Sequence, residues 1–185
     1  MNVAAYEKGV EKVIDWPGDI FGTLKSAKVR QLCYVPDAGH SRLITLAHAD
    51  PDMQATVLTT EEEGIALCAG AWLGGDRSVL AMQSSGVGNC INMLSLMEMC
   101  RFPLLTLVTM RGEWAEFNPW QVPMGRATAA SLELMGVTVL RIEAPEEAAD
   151  VVSAATALAF DGDQRVAVLI SQRMIGRKKW VEESK

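Results

Sequence analysis

Residues 78–110 read SVLAMQSSGVGNCINMLSLMEMCRFPLLTLVTM. Two apolar runs, Ser78 to Gln83 and Pro103 to Met110, are each strand-sized and flank a helical stretch from Val87 to Cys100. Strand, helix and strand in this spacing make a β-α-β unit, whose strands run parallel. The runs are nearly continuous in apolar residues, as expected of strands covered on both faces. The alternation continues outward. Upstream lie a helical pattern from Val3 to Leu24 and a strand from Gln31 to Val35 that ends in the turn cluster Pro36-Asp37-Ala38-Gly39. A helix from Ser41 to Ala49, a strand from Ala55 to Leu58 and a helix from Glu61 to Leu73 follow, the last stopped by Gly74-Gly75. Downstream come a loop from Gly112 to Gly125, a helix from Arg126 to Met135 and a strand from Val137 to Ile142. A helix from Pro145 to Phe160 and a strand from Val166 to Ile170 complete the series. The predicted fold is α/β, a three-layer αβα arrangement with a mostly parallel central sheet. One domain is expected over residues 1–185, with its core at 29–170, an N-terminal helical segment at 1–28 and a polar tail at 174–185.

The chain has 185 residues, 49% hydrophobic and 22% charged, which is too apolar for intrinsic disorder. Its 17 basic and 23 acidic residues give a net charge of −6, against a nucleic-acid-binding role. The first residues, MNVAAYEKGVEKVIDW, contain acidic groups and no apolar run, so neither a secretory leader nor a transit peptide is expected. No apolar stretch reaches the ~20 residues of a membrane span. The four cysteines at 33, 68, 90 and 100 form no CxxC, and the two histidines lie far from them in sequence. They read as small buried hydrophobes in a reducing compartment, the cytoplasm, rather than as zinc ligands.

In an open α/β sheet, ligands bind beyond the carboxyl ends of the strands. Four segments occupy that position: Pro36 to Arg42, Thr59 to Glu63, Ser84 to Asn89 and Arg111 to Gly125. In Thr59-Thr60-Glu61-Glu62-Glu63, Thr60 and Glu63 have the spacing of a capping box, which leaves Glu61 available to project toward a ligand. In Ser84-Ser85-Gly86-Val87-Gly88-Asn89, two glycines follow a strand. They suit either an anion-binding turn or close packing of helix on strand, and the third glycine of a dinucleotide fingerprint is missing. The helix from Asn89 to Cys100 is apolar around most of its circumference, which fits a buried core helix or one covered by another chain. The loop after Met110 carries Trp114, Phe117 and Trp120 between Arg111 and Arg126. Its arginines suit solvent or a doubly charged anionic substrate.

The strings TTEEEGIALCAGAWLGG, AMQSSGVGNCINMLSLMEMCRFPLLTLVTMRGEW and QVPMGRAT resemble the pyrimidine-binding domain of thiamine-diphosphate-dependent decarboxylases. Within that family the alpha subunits of sulfopyruvate decarboxylases, and then the phosphonopyruvate decarboxylases, are most similar. The resemblance covers about Val29 to Ile170. It implies a carboxy-lyase that converts 3-sulfopyruvate to sulfoacetaldehyde and carbon dioxide, or a related enzyme acting on phosphonopyruvate or another 2-keto acid. A non-catalytic module of the same fold is the alternative from another class. Counting back from Gly70 places the family's pyrimidine-contacting glutamate on Glu61, with Glu62 as the register alternative. The resemblance puts Ser84, Ser85, Gly86, Gly88 and Asn89 beside the cofactor. Asp37, His40, Arg111 and Gln121 fall beside the substrate, His40 as a contact or a proton carrier. The family's glycine-aspartate-glycine motif for Mg2+ and diphosphate is missing, and Gly75-Asp76-Arg77 is only a fragment of it. The resemblance therefore implies a beta subunit that holds diphosphate and metal, within a hetero-oligomer, and the apolar helix from Asn89 to Cys100 is the expected seam.

Overall fold

The computed structural model describes residues 14–176. In chain order the elements are α1 (Trp16–Ser26), β1 (Val29–Tyr34), α2 (Ser41–Ala49), β2 (Gln54–Val57), α3 (Glu61–Leu73), β3 (Arg77–Gln83) and α4 (Ser84–Cys90). They continue as α5 (Leu94–Cys100), β4 (Leu104–Thr109), α6 (Val122–Leu134), β5 (Thr138–Ile142), α7 (Ala148–Phe160), β6 (Arg165–Ile170) and α8 (Gln172–Ile175). The six strands form one sheet in the order β2-β1-β3-β4-β6-β5, and every pairing is parallel. The predicted three-layer α/β architecture is the one observed.

Period-2 alternation along the strands builds a core on each face of the sheet. Leu105 and Leu107 of β4 join Val79 and Ala81 of β3 under α1, α2 and α7. Leu104 and Val108 join Leu80 and Met82 under α3, α4, α5 and α6. Strand order reverses between β1 and β3, and the crevice beyond their carboxyl ends is where such a sheet receives a ligand. Among the described residues, no helix is long and apolar enough to cross a membrane.

Several boundaries differ from expectation, three of them near the candidate site or the first helix. α1 starts at Trp16, where Asp15 accepts from the Gly18 amide and Pro17 occupies the first turn. Residues 3–13 of the predicted first helix lie outside the described residues, as do residues 177–185 of the tail, and 172–175 form a helical turn. The helix expected over 87–100 is two helices. α4 begins three residues early, at Ser84, so the glycines read as a loop lie inside a helix. α6 begins at Val122 rather than Arg126, after a 3-10 turn at Pro119–Gln121.

α6 reaches the sheet through Gly125. A Cβ there would collide with the carbonyl oxygen of Arg111, just past β4. Gly125→Ala forces these backbones apart at an overpacking cost of about 1–3 kcal/mol. Urea unfolding is expected to show a lower midpoint with an unchanged slope.

Candidate active site at the carboxyl edge of the sheet

The segments after β1, β3 and β4 are joined by Asp37. Its Oδ2 accepts from the Gly39 amide at 3.0 Å and the Thr109 hydroxyl at 2.7 Å, and its Oδ1 accepts from Gln83 Nε2 at 3.0 Å. The Ser85 hydroxyl donates to Gln83 Oε1 at 2.9 Å. His40 departs from its expected place beside substrate. Its ring is 1% exposed, with Nε2 3.2 Å from the carbonyl oxygens of both Met82 and Leu107. Burial lowers its pKa against the opposing pull of Asp37, so the neutral ring with its proton on Nε2 bolts the turn onto β3 and β4. Its Nδ1 is buried without a partner, a position that a proton would not favour.

Glu61 opens α3 and is 8% exposed. Its Oε2 accepts from Asn89 Nδ2 at 2.8 Å. Among the described residues nothing donates to Oε1. The carboxylate lies against Gly86, where an added Cβ would collide with it. Both α4 glycines are helical, so what they contribute is the absence of a side chain rather than unusual backbone angles. Gly86 admits Glu61, and Gly88 faces Met124 of α6, whose sulfur would lie 3.2 Å from an added Cβ. The anticipated capping box forms only in part. Glu63 accepts from the Thr59 amide at 2.9 Å, one residue before the expected donor, and Thr60 makes no side-chain cap. Glu62, the register alternative, is half-buried on the same turn.

Ser84 is fully buried and accepts from the Arg111 amide at 3.0 Å, fastening the end of β4 to the start of α4. Arg111 is turned inward, contrary to its expected role as an anion ligand. Its Nε and Nη2 reach the two oxygens of Glu116 at 2.7 and 2.6 Å, and the two side chains are 8% and 3% exposed. Glu116 also accepts from the amides of Gly112 and Asn118 and from Gln172 Nε2. Gln172 Oε1 in turn accepts from the amides of Glu113 and Trp114 at 3.0 Å each. This cluster orders a loop that leaves Trp114, Phe117 and Trp120 exposed. Gln121 is half-buried at the end of that loop, with its Oε1 buried and unpartnered. Gln172 holds the strand-end position after β6, outside the four candidate segments, and Glu116 lies within Arg111 to Gly125, where no periodicity signals its pairing with Arg111. Cys33, Cys68 and Cys90 are buried as expected, whereas Cys100 at the end of α5 is exposed.

Burial alone pushes the Glu116 carboxyl up. Arg111, the two amides and Gln172 outweigh it and hold the group at about 2, against an ordinary 4.5. A depressed folded-state pKa contributes stability that is fully present above the ordinary value and is lost as pH falls through the folded one. Acid titration of the fold is therefore expected to show a loss of about 3 kcal/mol between roughly pH 4.5 and pH 2. Glu116→Gln should flatten that limb. It should also lower neutral-pH stability by about 3–5 kcal/mol, because Arg111 is left buried and unpaired.

Comparison with known proteins places this geometry in context. No protein-family model matches the chain. Sulfopyruvate decarboxylase subunit alpha of Methanococcus maripaludis is 36% identical over 137 residues, which is 74% of this chain and 82% of that one. Phosphonopyruvate decarboxylase of Streptomyces viridochromogenes is 36% identical over 118 residues, 63% of this chain but only 30% of that longer one. Among solved structures, 2-oxoglutarate:ferredoxin oxidoreductase from Magnetococcus marinus superposes with a TM-score of 0.71 at 15% identity. The match covers 91% of this chain and 34% of that one, a likeness of fold. An inward carboxylate at the head of α3, on a parallel sheet matched along most of its length by a named alpha subunit, leads to one assignment: the chain belongs to the sulfopyruvate decarboxylase alpha-subunit family, a family of carboxy-lyases.

Proposed function

We propose that the chain is the pyrimidine-binding half of a cytoplasmic, thiamine-diphosphate-dependent decarboxylase that converts 3-sulfopyruvate to sulfoacetaldehyde and carbon dioxide. The observation that carries the reading is the carboxylate of Glu61: sheltered at a helix start, fixed through one oxygen and free at the other. The cofactor, when bound, supplies an electron sink for the pair released as the carbon–carbon bond breaks. Glu61 Oε1 holds or shares a proton with the pyrimidine ring nitrogen, and Gly86 leaves the carboxylate room to do so. Ser84 and Ser85 set the floor through Arg111 and Gln83, while Asp37 fixes the crevice between β1 and β3. In this reading His40 acts as a support beneath the floor rather than as a proton carrier.

Diphosphate and Mg2+ are assigned to a beta subunit. The one fragment of a diphosphate motif, Gly75-Asp76-Arg77, lies where β3 begins, at the opposite edge of the sheet from Glu61. Its Asp76 accepts from Gln31 Nε2 at 2.9 Å. The surface offered to that partner follows α4 and α6. The groove formed by Pro119, Trp120, Pro123, Met124 and Ala127 has a volume of about 630 Å³, and its Met124 also packs against Gly88 of α4. The similarity to a phosphonopyruvate decarboxylase supports a second reading, in which the anionic head is a phosphonate.

Reconstitution with the beta subunit, thiamine diphosphate and Mg2+ tests both readings. Turnover of 3-sulfopyruvate well above that of 3-phosphonopyruvate is expected, and the reverse order selects the second reading. Glu61→Gln should lower kcat at least 10³-fold, of the order seen when a positioned acid–base group is removed, with circular dichroism and assembly unchanged. Near-normal turnover in that variant overturns the assignment of Glu61, whereas no turnover of either acid by the reconstituted wild-type enzyme leaves a non-catalytic module as the remaining account.

A further inference from the structure

The two oxygens of Glu61 have different surroundings, and the difference originates in α4. Gly86 and Asn89 are three residues apart on that helix and therefore share a face. Gly86 lies under the carboxylate, where no side chain fits. Asn89 donates from Nδ2 to Oε2 at 2.8 Å. An amide nitrogen can only donate, so Oε2 is required to present a lone pair to it. A proton carried by Glu61 while this bond holds is thereby favoured on Oε1, because the carbonyl-type oxygen is the better acceptor.

We propose that Asn89 is a positioning residue that makes Oε1 the working oxygen of Glu61 by occupying Oε2. The inference rests on the reading of Glu61 as the pyrimidine-contacting group and adds which oxygen acts and what selects it. Without the Asn89 bond, the carboxyl is free to rotate and to place its proton on either oxygen, so only part of the population faces the ring correctly. Binding of the cofactor depends on many other contacts and is little affected. The loss falls on the step that uses the proton.

The charged and titratable surroundings are few. Glu62 and Glu63 share the first turn of α3. From α4 comes Cys90, whose thiol is pushed to about 12, first by burial and then by Glu61 and Glu62, and so stays protonated. The strands and α5 beneath α3 contribute apolar side chains, the buried Cys33 thiol and the buried hydroxyls of Ser78 and Thr106, with Cys68 on α3 itself. None of these groups donates to Oε2, so Asn89 has no understudy.

The test uses the assembled enzyme with thiamine diphosphate, reading cofactor Kd by quenching of tryptophan fluorescence and turnover by carbon dioxide release. Asn89→Ala is expected to lower kcat about tenfold, the worth of one charge-assisted hydrogen bond, while Kd moves less than about threefold. Asn89→Gln, which keeps the donor, should recover part of kcat. Asn89→Asp supplies a carboxylate that cannot donate when ionised. Its kcat should fall about a hundredfold near pH 7 and recover relative to Asn89→Ala as pH drops and residue 89 regains a proton to donate. A purely structural role for Asn89 predicts no such recovery. Wild-type kcat in Asn89→Ala, or an Asn89→Asp profile parallel to that of Asn89→Ala, overturns the inference while the assignment of Glu61 stands. Activity in Glu61→Gln removes that assignment and the inference with it.

Discussion

Asp37 draws donors from three places at once: the amide of its own turn, Gln83 at the end of β3 and Thr109 at the end of β4. Parallel strands are held by evenly spaced main-chain bonds along their length, but at their carboxyl ends the ladder stops and the edges are free to splay. A short side chain accepting from both neighbouring strand ends closes that edge. His40, three residues on, adds a second bolt to the same two strands through Met82 and Leu107. Everything else at the site is hung from this closed edge. Ser84 starts α4 immediately after β3, α4 presents Gly86 and Asn89 to α3, and α3 presents Glu61.

The fold was largely legible because buried parallel strands must be apolar along their whole length, and LLTLV and VAVLI have no other plausible use. α3 occupies Glu61 to Leu73 as read, because its carboxylate-rich start and its paired glycines mark both ends. Reading failed where a residue type has two uses. Glycine after a strand usually signals a turn, yet Gly86 and Gly88 sit in a helix, and only the positions of Glu61 and Met124 explain them. Pro17 marks the start of α1 rather than its interior.

The site was legible where one residue is sufficient and illegible where pairing decides. The family resemblance, counted back from Gly70, names Glu61 as the candidate, and the structure turns its carboxylate inward at the head of α3. Arg111 could not be judged from its own position, because its character is set by Glu116, five residues on in a loop without periodicity. An arginine next to a candidate anion site is a different object once a buried carboxylate has taken its Nε–Nη2 edge. The same holds for His40, whose burial depends on β3 and β4 closing over it rather than on its neighbours in sequence.

The two helix layers are finished differently. α1, α2 and α7 expose no large apolar side chain, whereas Met99 on α5, Trp120 before α6 and Leu134 near its end are 82%, 84% and 86% exposed. Unpaired apolar surface of this kind is sticky. A cell making this chain therefore faces a problem of supply: each copy released ahead of its partner is prone to self-association, and matched synthesis of the two chains protects the pool. Recombinant yield should for the same reason follow the ratio of the two chains more closely than the expression level of either.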